Sequence, residues 1–362
     1  MMDLAGLHVG LVGPLPPPAG GMANQTYQLA ELLRGARASV ALVQSNAPYR
    51  PAWAGHIPGL RSLFRLLPYL LNLWRAAGQS DVLHVMANSG WSWHLFAVPA
   101  IWVAWLRRVP VVVNYRGGEA SNFLQRSAPA VRWSMNRVAG LVVPSGFLQQ
   151  VFYRHGMVAQ VLPNIVDLQR FHPGERPAVD VPHLLVARNL EPIYDNGTAL
   201  RAFALLLATV PAARLTVAGS GPELGRLQAL AKELGIIGQV AFAGRLDRDA
   251  MAALYRQCSL FINPALVDNM PNSVLESLAS GVPVVSTNVG GVPFIVQDGV
   301  TALLVPPQDP HAMAAALLRL LQDPALAQRL VDAGLQEVQR YTWDKVAPLL
   351  TAAYRAARGH AA

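Results

Sequence analysis

Two carboxylates eight residues apart, Asp268 and Glu276, are the residues of this sequence that most suggest ligand chemistry. Glu276 lies in "PNSVLESLASG", where Pro271 and Gly281 predict the start and the stop of a short helix. The first N–H groups of such a helix have no intrahelical partner and attract anions. A carboxylate in its second turn can accept hydrogen bonds from two adjacent hydroxyls, as a ribose offers. The alternative is a surface helix whose acidic residue only favours the helix dipole.

A second candidate anion site lies near the start of the chain. The apolar run "LHVGLV" is followed by "GPLPPPAGGMANQTYQLAELL", residues 13–33, which combines a glycine pair with a helical pattern. A strand, a glycine turn and a helix N-terminus together can bind an anion. The loop has neither the G-x-G-x-x-G spacing of a dinucleotide fold nor the G-K-[ST] of a P-loop.

The elements that must position these residues follow a repeated rhythm. Apolar, β-branched runs alternate with longer helical stretches, which is typical of parallel sheets covered on both faces. Six such strands precede a stretch rich in proline and charge, residues 170–182, and six follow it; they are "LHVGLVG", "SVALVQS", "DVLHVMA", "VPVVVNYRG", "GLVVPS", "AQVLPN", then "HLLVARN", "ARLTVAGSG", "QVAFAGRL", "SLFINPA", "VPVVSTN" and "ALLVPP". The pattern predicts an α/β protein with two doubly wound domains, whose ligand binds in the cleft at the strand carboxyl ends. The tail "YTWDKVAPLLTAAYRAARGH" predicts a final amphipathic helix.

The composition and charge of the chain limit the classes of molecule that it is expected to bind. The chain has 362 residues, about two domains' worth, and a formal net charge of +8 supplied almost entirely by arginine. That balance suits phosphate groups or acidic lipids, whereas nucleic acid is disfavoured because no basic cluster is interleaved with aromatics. The lone Cys258 is expected to be a core residue. A lone thiol forms no internal disulfide, which favours a reducing cytoplasm. The first residues lack a basic n-region, so no signal peptide is expected, and the apolar segment 91–106 is shorter than the ~20 residues of a membrane span, so a buried helix is expected there.

Nearly the whole chain resembles the family-4 retaining glycosyltransferases of the GT-B fold, which use nucleotide-diphosphate sugars. The resemblance rests on segments in family order: "GPLPPPAGG", "VVVNYRGGEA", "VVPSGFLQQVF", "VLPNIVDLQRF", "VAGSGPELGRLQ", "VAFAGRL", "LYRQCSLFINPA", the region from Asp268 to Glu276 in place of the E-x7-E motif, "GGVPFIVQDGVTALLV" and "YTWDKVAPLL". It implies an N-terminal acceptor domain (1–172), a C-terminal nucleotide-sugar domain (173–340) and a last helix (341–362) that packs back on the first domain.

The resemblance also implies roles for individual residues. Arg188, Asp268 and Glu276 take the catalytic positions: Arg188 neutralises the diphosphate, Asp268 contacts the donor sugar's hydroxyls and Glu276 contacts the ribose. The implied donor-binding residues lie in loops of both halves and are Gly20, Gly21, Asn196, Gly244, Leu246, Met270, Pro271, Asn272, Ser273 and Glu276. The glycine pair would present N–H groups to the β-phosphate, and Gly244 and Leu246 would bind the base through backbone groups. The resemblance implies no cofactor and no metal ion.

Two positions depart from the family pattern. Asp268 is one methylene shorter than the usual glutamate, and Asn196 in "YDNGTAL" replaces a lysine that usually precedes the glycine. The leaving diphosphate therefore has one positive charge fewer, and Arg116 and Arg245 are the candidates to replace it.

The acceptor-side candidates are Arg116, Asn88 and Trp91. Arg116 stands where relatives often have histidine and would bind an acceptor phosphate, bind the donor or pair with Glu119. His84, which ends an apolar strand, is expected to be a core histidine with its hydrogen bonds satisfied.

Residues 59–77 mix Arg61, Arg65 and Arg75 with an apolar face. Such a helix can rest on an anionic membrane or can pack on the sheet with its arginines in water. Peripheral membrane association is therefore left open.

The function expected from the resemblance is transfer of a UDP- or GDP-linked sugar to a glycan or a lipid-linked acceptor in polysaccharide or glycolipid synthesis. An NAD-dependent oxidoreductase is an alternative, because "GSGPELG" nearly mimics a dinucleotide fingerprint. A third hypothesis is a protein that binds nucleotide sugars without catalysis, prompted by Asp268 and Asn196.

Overall fold

The computed structural model describes residues 4–17, 20–49, 57, 60–174 and 181–359, with backbone only for 60–63. The chain divides into two compact units, Met1–Ile165 with Trp343–Ala362, and Val166–Thr342. Residues 175–180 of the predicted linker 170–182 lie outside the described part, and so does residue 59 of the predicted membrane helix.

The twelve strands predicted from apolar runs are all present. They are β1 (His8–Gly13), β2 (Ser39–Gln44), β3 (Val82–Ala87), β4 (Val111–Tyr115), β5 (Gly140–Val143), β6 (Gln160–Val161), β7 (His183–Ala187), β8 (Arg214–Ala218), β9 (Val240–Gly244), β10 (Leu260–Asn263), β11 (Val284–Thr287) and β12 (Leu303–Val305). Every strand pairs in parallel with its neighbours.

Helices connect these strands. They are α1 (Gly21–Gly35), α2 (Leu60–Ala77), α3 (Val98–Leu106), α4 (Ala120–Met135), α5 (Gly146–Arg154), α6 (Asn196–Leu207), α7 (Leu224–Glu233), α8 (Arg248–Gln257), α9 (Asn272–Ala279), α10 (Pro310–Gln322), α11 (Pro324–Glu337) and α12 (Trp343–Gly359). A short π-helical turn, Trp93–Ala97, leads into α3. Among the described residues, no helix is both long and apolar enough to cross a bilayer.

The sheet of the first unit has the order β2-β1-β3-β4-β5-β6. Successive strands are added on one side of β1 and then on the other, so the strand order reverses between β1 and β3 while all strands stay parallel. Successive side chains of a strand face opposite sides of the sheet. In β4, Val111, Val113 and Tyr115 therefore pack in the core that also contains residues of α2, α3 and α4. Val112 packs on the other face with residues of α1 and α12. A sheet buried on both faces explains why its strands are continuous apolar runs.

The last helix, α12, belongs to the first unit. It buries one stripe against the sheet, and the aliphatic part of that stripe includes Val346, Leu350 and Ala353. The hydroxyl of Tyr354 on the same stripe lies 2.9 Å from Nδ1 of His84 in β3. Asn114 of β4 lies 3.1 Å from the other ring nitrogen. His84 is thus a core histidine with both nitrogens bonded, as the sequence predicted.

The sheet of the second unit has the order β12-β11-β10-β7-β8-β9, the doubly wound order that reverses between β7 and β10. Residues of α6, α7, α10 and α11 pack on one face, and residues of α8 and α9 pack on the other. Cys258 is buried in the second of these cores, as predicted for a small core residue. Both units are therefore Rossmann-like, and the predicted fold class is confirmed.

The buried His84 leads to a prediction about acid stability. Burial, and secondarily the charge of Arg116, lowers the pKa of His84 from 6.5 to about 3. The unfolded chain therefore binds one proton more between these values, and stability falls as the pH drops through that window. We expect the thermal midpoint of the wild type to fall more steeply below about pH 6.5 than that of His84→Gln, which keeps hydrogen-bonding groups but cannot titrate. Equal slopes in a pH series of thermal scans would contradict this assignment.

Candidate active site

The strongest candidate site lies at the strand carboxyl ends of the second unit. Arg188 directly follows β7, and Asp268 lies in the loop after β10. These two strands flank the point where the strand order reverses, which is where ligands bind in doubly wound sheets. The topology thus brings together two residues that are 80 positions apart in the chain.

Arg188 is held from three sides. Its Nη2 donates to Oδ2 of Asp268, and its Nη1 donates to Oγ of Ser273 at 3.3 Å. The guanidinium carbon lies 4.2 Å from the centroid of the Tyr194 ring. The two charged side chains are 9% and 11% exposed, and Nε of Arg188 is buried without a hydrogen-bond partner among the described residues. The cation is therefore fixed in position and has donor capacity left for a ligand.

Burial raises the pKa of Asp268, and the nearby Arg188 opposes that rise. A buried carboxylate stays ionised only while its partner charge is present. The pair is thus interdependent: loss of the arginine would favour protonation of the aspartate.

Glycines pack closely against the two loops that bear Arg188 and Asp268. At Gly290, with a φ of +53°, a Cβ would lie 2.1 Å from the carbonyl oxygen of Asp268, and the next residue donates its N–H to that oxygen at 2.8 Å. At Gly219 a Cβ would lie 2.0 Å from the carbonyl oxygen of Arg188, and at Gly221 2.3 Å from that of Leu190. Two of the three glycines that suggested a dinucleotide fingerprint, Gly219 and Gly221, therefore pack against the arginine loop.

The short helix α9 supplies the second part of the site. Pro271 precedes its first residue, and no side chain caps its N-terminus. Ser273, which bonds Arg188, is in its first turn, and Glu276 is one turn later. The Tyr255 hydroxyl contacts Oε2 of Glu276 at 3.3 Å and the carbonyl oxygen of Ser273 at 3.1 Å. An uncapped helix start beside a fixed arginine favours an anionic ligand.

Glu276 sits in a largely desolvated position. Burial raises its pKa from 4.5 to about 7, while the charge of Arg248, the Tyr255 hydroxyl and Arg188 act in the opposite direction. Its protonation therefore changes near neutral pH. The sequence motif located Glu276 but gave no sign of Tyr255 or Arg248, which lie on a different helix.

Asn196, which stands where the resemblance implies a lysine, is buried at the start of α6. Its Nδ2 donates to the carbonyl oxygen of Asn189 at 3.1 Å, and its Oδ1 has no partner among the described residues. Nη1 of Arg201 lies 3.2 Å from where a Cβ of Gly197 would be. This arginine brings a positive charge back to the helix start, since helical side chains lean towards the N-terminus. Sequence reasoning missed it.

The other predicted donor residues of this unit are spread along nearby loops. Gly244 ends β9 with a φ of +65°, and its carbonyl oxygen accepts from the N–H of Gly219 at 2.7 Å. Leu246 is partly buried and Met270 is buried in the core that contains α9. Pro271 and Asn272 form the start of that helix.

In the first unit, Gly20 and Gly21 form the start of α1, which no side chain caps. A Cβ on Gly20 would meet no atom within 4 Å, so the backbone there is open to approach. The preceding loop is tied down by Asn46, whose side chain bonds both the N–H and the carbonyl oxygen of Leu15 at 2.8 Å. Residues 18 and 19 lie outside the described part.

The predicted acceptor-side residues follow β3 and β4. Arg116 donates from Nε to Asn114 at 3.1 Å and from Nη1 to Asn164, and burial lowers its pKa to about 10. Asn88 accepts from the N–H of Ser89 at 2.8 Å. Trp91 is 78% exposed. The structure therefore places these candidates at neighbouring strand ends, with the arginine held by two asparagines.

No group of three or more His, Cys, Asp or Glu side chains that could hold a metal ion occurs among the described residues.

The predicted membrane helix, α2, packs on the sheet through Tyr69, Leu73 and its last alanines. Its arginines are not equivalent: Arg65 stacks on Tyr49 at 4.1 Å and is partly buried, whereas Arg75 is exposed. The side chain of Arg61 lies outside the described part. The outer face also exposes Leu67, Leu71 and Trp74, so it is apolar as well as basic.

The contact between Gly290 and Asp268 can be tested against a matched control. Gly290→Ala would combine a positive φ with a clash against backbone, whereas Gly299→Ala has a φ of +69° and open space around it. The positive φ alone costs about 1–2 kcal/mol, and displacing the Asp268 loop adds about 1–3 kcal/mol. We expect thermal scans to show a clearly larger loss of stability for Gly290→Ala. Equal losses would show that the close approach does not constrain the loop.

Comparisons with known proteins show the family to which the chain belongs. A family model described as Glycosyltransferase Family 4 matches residues 19–170, and one described as Glycosyl transferases group 1 matches residues 170–337. A D-inositol 3-phosphate glycosyltransferase from Acidothermus cellulolyticus is 34% identical over 213 residues, which are 54% of this chain and 47% of the relative. The chain thus spans about half the length of that relative. A glycogen synthase from Mycobacterium tuberculosis is 30% identical over 280 residues, covering 73% of this chain and 67% of the relative.

Solved structures share the fold. Sucrose-phosphate synthase from Thermosynechococcus elongatus has a TM-score of 0.77 at 22% identity, covering 96% of this chain and 98% of that one. Anabaena HepE in complex with UDP has a TM-score of 0.76 at 16% identity, covering 96% and 99%. The two family models together account for most of the sequence, and the chain belongs to the family-4 glycosyltransferases of the GT-B fold.

Proposed function

We propose that this protein is a retaining glycosyltransferase that moves a sugar from a UDP- or GDP-linked donor to a glycan or a lipid-linked acceptor. The observation that carries the proposal is the fixed Arg188 at the uncapped start of α9, with Glu276 one turn along the same helix. This arrangement offers a cation and backbone N–H groups to a diphosphate and a carboxylate to a ribose. HepE, which shares the fold, has been solved with UDP and with UDP-glucose, which supports a nucleotide-sugar donor.

The proposed chemistry explains the type of residue at each position. Breaking the bond between the anomeric carbon and the diphosphate oxygen builds positive charge on the sugar and negative charge on the leaving group. Arg188 and the N–H groups of α9 are pre-placed where that negative charge develops, so they need little reorganisation during the reaction. In the proposed retaining route, the acceptor hydroxyl attacks from the face that the diphosphate leaves, and its proton passes to the leaving group. No enzyme nucleophile is needed.

Asp268 is proposed to orient the donor sugar. One of its oxygens accepts from Arg188 and the other from the N–H of Asn269 at 3.0 Å. A carboxylate has about four lone-pair sites, so acceptor capacity remains for sugar hydroxyls. Because the aspartate is one methylene shorter than the usual glutamate, we expect the hydroxyls to approach closer to the arginine.

With asparagine rather than lysine at position 196, the proposed site has one positive charge fewer to stabilise the leaving diphosphate. Asparagine donates only neutral hydrogen bonds, which are about half as strong as charge-assisted ones. Besides Arg116 and Arg245, the candidates from the sequence, Arg201 is now a third source of the charge, because its guanidinium lies beside the start of α6.

We propose that Arg116, Asn88 and Trp91 contact the acceptor. The reaction is proposed to belong to polysaccharide or glycolipid synthesis. The reaction is proposed to need no metal ion or other cofactor and to take place in the cytoplasm, at the inner face of the membrane.

The deciding experiment is a thermal-shift panel of UDP- and GDP-sugars, followed by donor hydrolysis and transfer assays on those that stabilise the protein. Stabilisation by a nucleotide sugar together with turnover supports the proposal. Stabilisation by NAD instead would favour an oxidoreductase, and donor binding without turnover across a broad acceptor panel would favour a non-catalytic binding protein.

Arg188 should matter more for turnover than for donor binding, because the charge on the leaving group peaks in the transition state. We expect Arg188→Ala to lower kcat by about 10²–10³-fold, with a smaller rise in the KM of the donor. The exposed Arg226, paired with Glu223 on the same unit, is the matched control, and Arg226→Ala should leave both constants unchanged. A variant that loses only affinity, with full turnover at saturation, would limit Arg188 to binding.

Glu276 should make nucleotide binding depend on pH. Its pKa is raised to about 7, so the carboxylate that accepts two ribose hydroxyls is present above that pH and is lost as the pH falls below it. We expect the ratio of wild-type to Glu276→Gln affinity for the nucleoside diphosphate to rise with pH through about 7 and then level off. Isothermal titration calorimetry at several pH values measures this ratio. Protonation of the nucleotide's phosphate affects both proteins equally and therefore cancels in the ratio. A ratio independent of pH would refute the assignment.

A further inference from the structure

The positive charge of this protein is concentrated in one unit. Residues of the first unit include sixteen Arg and Lys but only five Asp and Glu, whereas the second unit has thirteen against sixteen. The first unit therefore has a net charge of +11 and the second −3, which together give the +8 of the chain. Between residues 32 and 166 the only acidic residues are Asp81 and Glu119.

An apolar surface coincides with this charge. On α2, Leu67, Leu71 and Trp74 are exposed at spacings of four and three residues, which places them on one side of the helix. We call the surface that they form with exposed residues of the next two helices the tryptophan face; it comprises Leu67, Leu71, Trp74, Trp105, Leu106 and Trp133.

Side-chain contacts make this face continuous. The guanidinium of Arg107, which follows α3, lies 4.8 Å from the Trp74 ring centroid on α2. At the other side, Trp102 of α3 lies 4.7 Å from Trp133 of α4, centroid to centroid. The three helices also pack side by side in the order α2, α3, α4.

Arg137 organises the α3–α4 part of the face. Its guanidinium lies 4.0 Å from the ring centroid of Trp102, 4.9 Å from that of Trp133 and 5.3 Å from that of Trp105. It also donates to the carbonyl oxygen of Trp133 at 2.7 Å. Three tryptophans around one arginine could have been buried; instead Trp105 is 50% and Trp133 56% exposed. The cluster holds indole rings at the surface in fixed positions.

Charge complementarity defines the partner. Arg75, Arg107, Arg108, Arg132 and Arg137 lie on or beside the three helices, and the segments 60–77, 98–106 and 120–135 contain no acidic residue. Indole rings and arginines suit the interface of a bilayer, where a ring has one apolar and one wet side. Exposed leucines add apolar area that can enter the acyl boundary, whereas a phosphate backbone offers them nothing.

We propose that the tryptophan face docks this protein on the surface of an anionic lipid bilayer. The three tryptophans and three leucines sit at the level of the headgroups, and the surrounding arginines pair with lipid phosphates. Docking places the enzyme at the surface where a lipid-linked acceptor is found. The biological role of the docking therefore rests on the proposed function, whereas the docking itself does not. The tryptophan face differs from the single helix 59–77 considered in the sequence, because Arg65 is partly buried against Tyr49, whereas Arg75, Arg107 and Arg108 are exposed.

The test is co-sedimentation of the purified protein with vesicles, without donor or acceptor. We expect binding to vesicles of phosphatidylglycerol and phosphatidylcholine but not to phosphatidylcholine alone, and weaker binding at high salt because surface charge is screened. The double variant Trp105→Ala, Trp133→Ala should lose at least about tenfold in vesicle affinity, since each exposed aromatic contributes apolar area. The triple variant Arg75→Gln, Arg107→Gln, Arg108→Gln should lose the preference for anionic lipid.

The matched control carries an exposed aromatic and an exposed arginine elsewhere on the same unit. Tyr27 on α1 is 49% exposed, and Arg34 is exposed two turns along the same helix, which packs on the opposite face of the sheet, so the double variant Tyr27→Ala, Arg34→Gln should bind vesicles like the wild type. Thermal scans check that each variant is folded, and quenching of tryptophan fluorescence by brominated lipid gives a second measurement, smaller in the double tryptophan variant.

Several outcomes would overturn the proposal: no binding of the wild type to anionic vesicles, equal loss in the control, or undiminished binding in both face variants. Retention on an acidic protein but not on vesicles would assign the face to a protein partner instead. Donor hydrolysis is assayed separately in all variants. A failure of vesicle binding with hydrolysis intact rejects the docking alone, and the reverse result rejects the proposed function alone.

Discussion

The ion pair of Arg188 and Asp268 is the interaction on which the candidate site depends. Two charges leave water where β7 and β10 end, and each is tolerable only because the other is present. Close packing of Gly219 and Gly290 against the two carbonyl oxygens lets the loops come near enough to form the pair. The pair in turn fixes a cation beside the uncapped start of α9, an arrangement that favours an anionic ligand.

The second constraint is the uneven distribution of charge. A unit with a net charge of +11 repels itself, and its five acidic residues are too few to pair with its sixteen basic ones. Arg107 and Arg137 stack on tryptophans, and Arg116 is bonded to two asparagines. Stacking on aromatic rings needs no acidic partner, so these guanidinium groups have favourable contacts in a unit with few carboxylates.

The sequence predicts the fold well because parallel strands buried on both faces must be apolar throughout, and all twelve runs form strands. It also locates Glu276, because a proline and a glycine mark the ends of α9. It could not reveal Tyr255 or Gly290, whose contacts join segments far apart in the chain. Nor could it show the tryptophan face, since which side of a helix stays exposed depends on what packs against the other side.

Asn196 shows why a motif position does not fix a side chain's role. A lysine at the start of α6 could extend past the helix, whereas the shorter asparagine is buried and bonds the carbonyl oxygen of Asn189. Compared with a lysine, the asparagine at the start of α6 brings no mobile charge, and its hydrogen bond to Asn189 holds the turn that precedes the helix. Arg201, one turn and a half further along the helix, leans back to the same helix start beside Gly197. A positive charge near a helix start can thus come from a residue further along the same helix, which comparison of motif positions alone would not detect.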